Sequence, residues 1–104
     1  MLTLVYSNEG MPVADYEAES RAKEIIELYK AEKIPNNLVY CSSEIFFLAM
    51  RVLGKRGLIA YDDLQFKFEN KILFLDKDFQ VSEWPKGFCG YYESFLCELI
   101  QWGK

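Results

Sequence analysis

Apolar residues along the chain switch between strand-like runs and helical spacing, and each switch marks an element. Leu2 to Ser7 is apolar and β-branched and predicts a buried strand, closed by the turn formers Asn8, Glu9 and Gly10. Beyond Pro12, Ala18, Ala22, Ile25, Ile26 and Tyr29 recur at helical spacing, with Asp15 placed to cap that helix. Glu17, Glu19, Lys23, Glu24, Glu27 and Lys30 form its wet face, and Pro35 bars its extension. Leu38 to Cys41 predicts a second strand. Ser42 or Ser43 then caps a second helix ending near Lys55, with Glu44 in its first turn and Gly57 as its stop.

That second helix is apolar all round, from Ile45 to Leu53, so one face cannot account for it. It is either central to the fold or covered by another chain. Leu64, Phe66 and Phe68 alternate with Gln65, Lys67 and Glu69, and Asn70-Lys71 turns the chain into Lys71–Leu75, which predicts a hairpin. Asp76-Lys77-Asp78 ends its second arm. Trp84 to Phe88 reads as a structured loop, and Tyr91 to Trp102 as a closing helix with Tyr92, Phe95, Leu96, Leu99 and Ile100 on one side. The expected fold is a small α/β sandwich of order β-α-β-α-β-β-α. Its first strand pair is parallel and precedes an antiparallel hairpin and a C-terminal helix.

At 104 residues the chain has the size of one domain, spanning 1–104, and 51% hydrophobic residues are enough for a packed core. Aromatic residues make up 16%, and a domain this small leaves a large part of its chain's surface in water, so some rings are expected on the outside. Sixteen Asp and Glu against twelve Lys and Arg give a net charge of −4, which argues against binding nucleic acid by bulk charge. No histidine is present. Ser-His and Cys-His nucleophile pairs and imidazole metal ligands are therefore excluded. Cys41, Cys89 and Cys97 form no Cys-x-x-Cys pair, and reduced, buried thiols are expected. Without a leader-like N-terminus or a membrane-length apolar run, the sequence points to the cytoplasm.

From Leu38 to Phe88 the motif order resembles the C-terminal end of ATPases related to RecF and the OLD family. There a strand enters Thr-His-Ser-Glu, an apolar helix follows with a basic-Gly stop, and a Ser-x-Asp-Asp-like turn, a hairpin and a Trp-Pro-x-Gly-Phe-Phe loop come after. Here Cys41-Ser42-Ser43-Glu44, Gly54-Lys55-Arg56-Gly57, Ala60-Tyr61-Asp62-Asp63-Leu64 and Ser82-Glu83-Trp84-Pro85-Lys86-Gly87-Phe88 stand at those places. The resemblance covers about half the chain. It implies an ATPase-like scaffold and an ATPase-like partner, within a mobile or phage-defence gene set. The departures bear on activity: Ser42 replaces the histidine that senses the γ-phosphate in such proteins, and no Gly-x-x-x-x-Gly-Lys-Ser/Thr loop exists here. ATP hydrolysis by this chain alone is not expected.

Three constellations remain. Glu9 after one strand and Asp76 with Asp78 after another resemble a Toprim metal site for phosphoryl transfer; as plain chemistry they are also ordinary turn residues. Ser42 and Ser43 sit where a nucleophile or an anion-binding helix start would sit, though capping explains them without either. Asp62 and Asp63 with Glu44 read as a carboxylate cluster or as turn caps. The expected function is a non-catalytic interaction or scaffold module without cofactor, self-associating as a homodimer or docking on a larger partner. Phe46, Phe47, Met50, Trp84, Tyr91, Tyr92 and Trp102 are its candidate contact residues. The alternative is a metal-dependent phosphoryl-transfer enzyme using Glu9, Asp76 and Asp78.

Overall fold

The computed structural model describes residues 1–81, which form β1 (Leu2–Met11), α1 (Ala18–Lys30), β2 (Leu38–Cys41), α2 (Glu44–Lys55), β3 (Leu64–Phe68) and β4 (Lys71–Phe74). Among these residues the sheet has the order β2-β1-β3-β4. β1 is central, parallel to both β2 and β3, and β4 returns antiparallel to β3. The mixed α/β architecture, the parallel first pair and the hairpin are as the pattern predicts. The closing helix, with Tyr91, Tyr92 and Trp102, and the Trp84 loop lie outside the described residues, as do Cys89 and Cys97. Among the described residues no helix is long and apolar enough to cross a membrane.

One face of the sheet carries the core. Val39, Leu4, Phe66 and Leu73 stand opposite one another across the four strands, with Leu2 beside Leu64 and Tyr6 beside Phe68 in adjacent rows. Both helices add to this same core: Ala18, Ala22 and Ile26 from α1, and Phe46, Phe47, Met50 and Leu53 from α2. The Phe47 ring meets Phe66 edge-on with centroids 5.0 Å apart, an arrangement worth up to about 1 kcal/mol beyond area burial. Tyr6 stacks on Phe68 at 5.5 Å and closes the layer.

Four local expectations are corrected. β1 does not stop at Ser7 but runs to Met11, because Tyr6 and Met11 both pair with Cys41 and the strand bulges between them. Gly10 permits this: a Cβ there would lie 2.6 Å from Cys41 N. Asp15 is not the cap of α1. Residues Asp15–Glu17 make a 3-10 turn, Glu17 Oε1 accepts the Ala14 N–H at 3.3 Å, and the α-helix begins at Ala18. Ser43 holds the cap position of α2 by backbone, yet its hydroxyl makes no cap bond and accepts the Val13 N–H at 2.8 Å instead. The serine thus ties β1's exit to the start of α2, a link across thirty residues. The hairpin turn falls on Glu69-Asn70, one residue earlier than the pattern suggests, with Glu69 at φ +55°. Gly57 ends α2 at φ +94°, where only glycine is unstrained.

Candidate functional site

α2 is apolar all round because it serves two surfaces. Phe46, Phe47 and Met50 are 0, 1 and 0% exposed. They fill the core against β1 and β3, so none of the three offers a contact to another protein; their expected role as interface residues is corrected on that ground. The stripe Ile45, Leu48, Ala49 and Val52, at i, i+3, i+4 and i+7, points the other way. It floors a cleft of about 220 Å³ that α1 borders with Ala18 and Glu19, and the 3-10 turn before it with Asp15. Glu19 also pairs with Arg56 at the end of α2.

The second surface is the sheet face turned away from both helices. Register places two rows across it: Tyr40, Val5, Lys67 and Ile72, then Leu38, Thr3, Gln65 and Phe74. Five of these eight side chains are apolar. Phe74 is 64% exposed, Tyr40 53% and Ile72 44%. β3 alternates cleanly, with Gln65 and Lys67 outward, and β1 turns Thr3 and Val5 to this face; β2 and β4 are apolar on both faces, the pattern of strands covered on both sides. In the middle of the face Gln65 Nε2 donates to Thr3 Oγ1 at 2.9 Å, which links the two polar side chains of neighbouring strands. Tyr40, Ile72 and Phe74 were not singled out by periodicity; the loss of alternation in β2 and β4 is the signal that marks them.

The acidic residues do not converge. β4 runs antiparallel to β3, so Asp76 and Asp78 follow it at the sheet end where β1 begins, whereas Glu9 lies at the end where β1 finishes. Each has a local structural role. Asp76 Oδ1 accepts the N–H groups of Asp78 at 2.8 Å and Gln80 at 3.0 Å, and these bonds hold its carboxyl below the usual carboxylate range. Asp78 meets Lys55 Nζ at 3.2 Å. Asp63 accepts the Tyr29 hydroxyl at 2.7 Å and lies 3.5 Å from the Met1 amino group, tying the C-terminal part of α1 to the start of the sheet. Burial, then the Asp63 bond, pushes the Tyr29 phenol up to about 12. Among the described residues no group of three or more Cys, Asp or Glu side chains is placed to hold a metal ion.

The start of α2 is occupied by internal bonds. Ser42 N–H donates to Met11 O at 3.0 Å, Ser43 N–H to Cys41 Sγ at 3.4 Å, and the Ser43 hydroxyl is taken by Val13. Cys41 is buried, and desolvation pushes its thiol up, which favours an inert side chain over a nucleophile. Arg51, also buried, donates from Nε to Phe79 O at 2.6 Å and from Nη2 to Gln80 Oε1 at 2.9 Å, so its charge organises the 76–80 turn. No protein-family model matches this chain, and neither a curated protein nor a solved structure matches it.

Proposed function

We propose that this protein is a non-catalytic interaction module that works by covering its open sheet face with a second copy of itself or with a larger partner. One observation carries the reading: Tyr40, Ile72 and Phe74 stay exposed on β2 and β4, the two strands that are apolar on both faces. Ile72 and Phe74 stand together on β4 and Tyr40 on the opposite edge strand, and exposed apolar side chains grouped on one face are a feature of contact sites in globular proteins. The aromatic content supports the same reading, because Tyr and Phe supply large contact area at small entropic cost. The motif order shared with RecF- and OLD-related ATPases makes an ATPase-like protein the partner class to try first.

The test is light scattering after size exclusion over a concentration series, on the wild-type chain and on Phe74→Asp. Phe74 is mostly solvent-exposed, so the substitution should leave the fold intact by circular dichroism. Wild-type dimerisation that Phe74→Asp abolishes supports self-association. A monomeric wild type that binds a partner from the native host, and loses it on Phe74→Asp, supports docking. A strict monomer at high micromolar concentration with no partner, or an association indifferent to Phe74→Asp, overturns the proposal.

A further inference from the structure

We propose that the cleft between α1 and α2 is a second docking site, separate from the sheet face. Its occupant is a short peptide segment with one apolar anchor side chain flanked by Lys or Arg. At about 220 Å³ the cleft is smaller than the roughly 300–1,000 Å³ of sites for drug-sized molecules, and fits one or two side chains. Its floor is the outer stripe of α2, and Val52 is 41% exposed there, so water now covers apolar surface that an anchor residue would displace. α1 meets this stripe with Ala18, a small buried residue that adds little bulk to the cleft wall.

The rim selects the charge. The two ionisable groups lining the cleft, Asp15 and Glu19, are both acidic. Asp15 has no ion pair among the described residues. Glu19 is held by Arg56, but that pair lies in the open, where such contacts are worth about 0–1 kcal/mol, and an incoming cation can compete for it. Tyr16, beside Asp15 on the same 3-10 turn, is outside the cleft lining, and at 91% exposure its ring is open to a Lys or Arg that flanks the anchor. The chain's net charge of −4 favours encounter with a basic segment over an acidic one.

Fluorescence anisotropy with labelled model peptides tests this: a Leu-centred peptide flanked by Lys and Arg, the same peptide with Gly at the centre, and a Leu-centred peptide flanked by Glu. The basic Leu peptide is expected to bind saturably, more weakly at high salt, and at least about tenfold more tightly than either control. Val52→Asp should lower that affinity by a similar factor, and Asp15→Lys with Glu19→Lys should transfer the preference to the Glu-flanked peptide. Amide shift mapping on the wild-type chain gives a readout independent of any variant, with Leu48, Ala49 and Val52 expected to move. Equal binding of the acidic and basic peptides, equal binding of the Gly-centred one, no saturable binding, or shifts away from α2 would each overturn the assignment. Phe74→Asp should leave peptide binding unchanged, so failure here and failure of the sheet-face reading are told apart.

Discussion

Replacing Gly54 by alanine sets two well-known effects against each other, and the structure decides which prevails. Gly54 lies in the last turn of α2, where alanine on helix propensity alone would stabilise by about 0.8–1 kcal/mol. A Cβ at that position, however, would stand 2.2 Å from Phe79 Cε1, 2.6 Å from Cδ1 and 2.7 Å from Cζ. The ring would have to retreat, and its backbone is held. Phe79 O accepts Arg51 Nε at 2.6 Å, Phe79 N–H donates to Asp76 O at 2.8 Å, and the Asp76 carboxylate fixes the turn through Asp78 and Gln80. Phe79 itself is buried. Overpacking costs about 1–3 kcal/mol, and three ring atoms inside 3 Å on a held backbone place this site at the upper end, about 2–3 kcal/mol; less the propensity gain, Gly54→Ala should destabilise by about 1–2 kcal/mol net, with each kcal/mol lowering Tm by roughly 4–8 °C. Urea denaturation of the wild type, Gly54→Ala, Phe79→Ala and the double variant closes the cycle. With the ring gone, Gly54→Ala should turn mildly stabilising, as propensity then acts alone. A Gly54→Ala chain as stable as the wild type, or one whose cost is the same in both backgrounds, would refute the reasoning.

Gly10→Ala should be the more damaging glycine substitution, at about 3 kcal/mol or more, because the obstacle is backbone: Cys41 N at 2.6 Å and Tyr40 C at 2.7 Å. A wild-type urea midpoint for that variant would contradict the close approach of β1 to β2. Ser43→Ala should cost about 1–3 kcal/mol by leaving the Val13 N–H without its acceptor, and should speed exchange of the Val13 amide; an unchanged exchange rate would show the link to be dispensable. For Tyr29 the folded-state pKa of about 12 lies above the ordinary 10.0, so the neutral phenol is favoured by folding. Its contribution is complete below about pH 10 and is lost as pH rises towards 12. Ultraviolet titration should show one late phenol that Tyr29→Phe removes, and identical late titration in the variant would count against the assignment.

What was legible in the sequence was whatever short-range chemistry dictates. Ser43-Glu44 and Gly57 bracket α2 because helix ends have local requirements, and Leu64, Phe66 and Phe68 announce β3 because period two is a property of the strand itself. Errors appeared where a partner distant in sequence took over a local group. The Ser43 hydroxyl went to Val13 and not to its own helix, and Gly10 carried β1 past an apparent turn because Cys41 lay beside it. In α2, periodicity could not say which apolar stripe would face the sheet. The larger residues won: Phe46, Phe47 and Met50 bury more area against Phe66 and its neighbours than Ile45, Ala49 and Val52 could. The acidic site failed on topology, since one antiparallel strand is enough to send Asp76 and Asp78 to the opposite end from Glu9.

The composition of the open sheet face also limits what can cover it. Burying polar groups costs free energy unless they are paired; Thr3 and Gln65 share one hydrogen bond, and a cover must meet the Gln65 carbonyl oxygen as well. Leu38, Tyr40, Val5, Ile72 and Phe74 gain from losing water. Lys67 is the exception, the one charge in these two rows, flanked in register by Val5 on one side and Ile72 on the other. A flat apolar cover would strand its ammonium, at a cost that a few buried side chains would not offset. The covering surface must therefore set a carboxylate or a carbonyl above Lys67, or leave a gap through which its long stem reaches water. In a two-fold pairing of identical chains each Lys67 faces this same requirement, and none of the eight side chains in these two rows is a carboxylate. A symmetric dimer on this face must then place Lys67 at the rim, with Phe74, Tyr40 or Val5 nearer the axis.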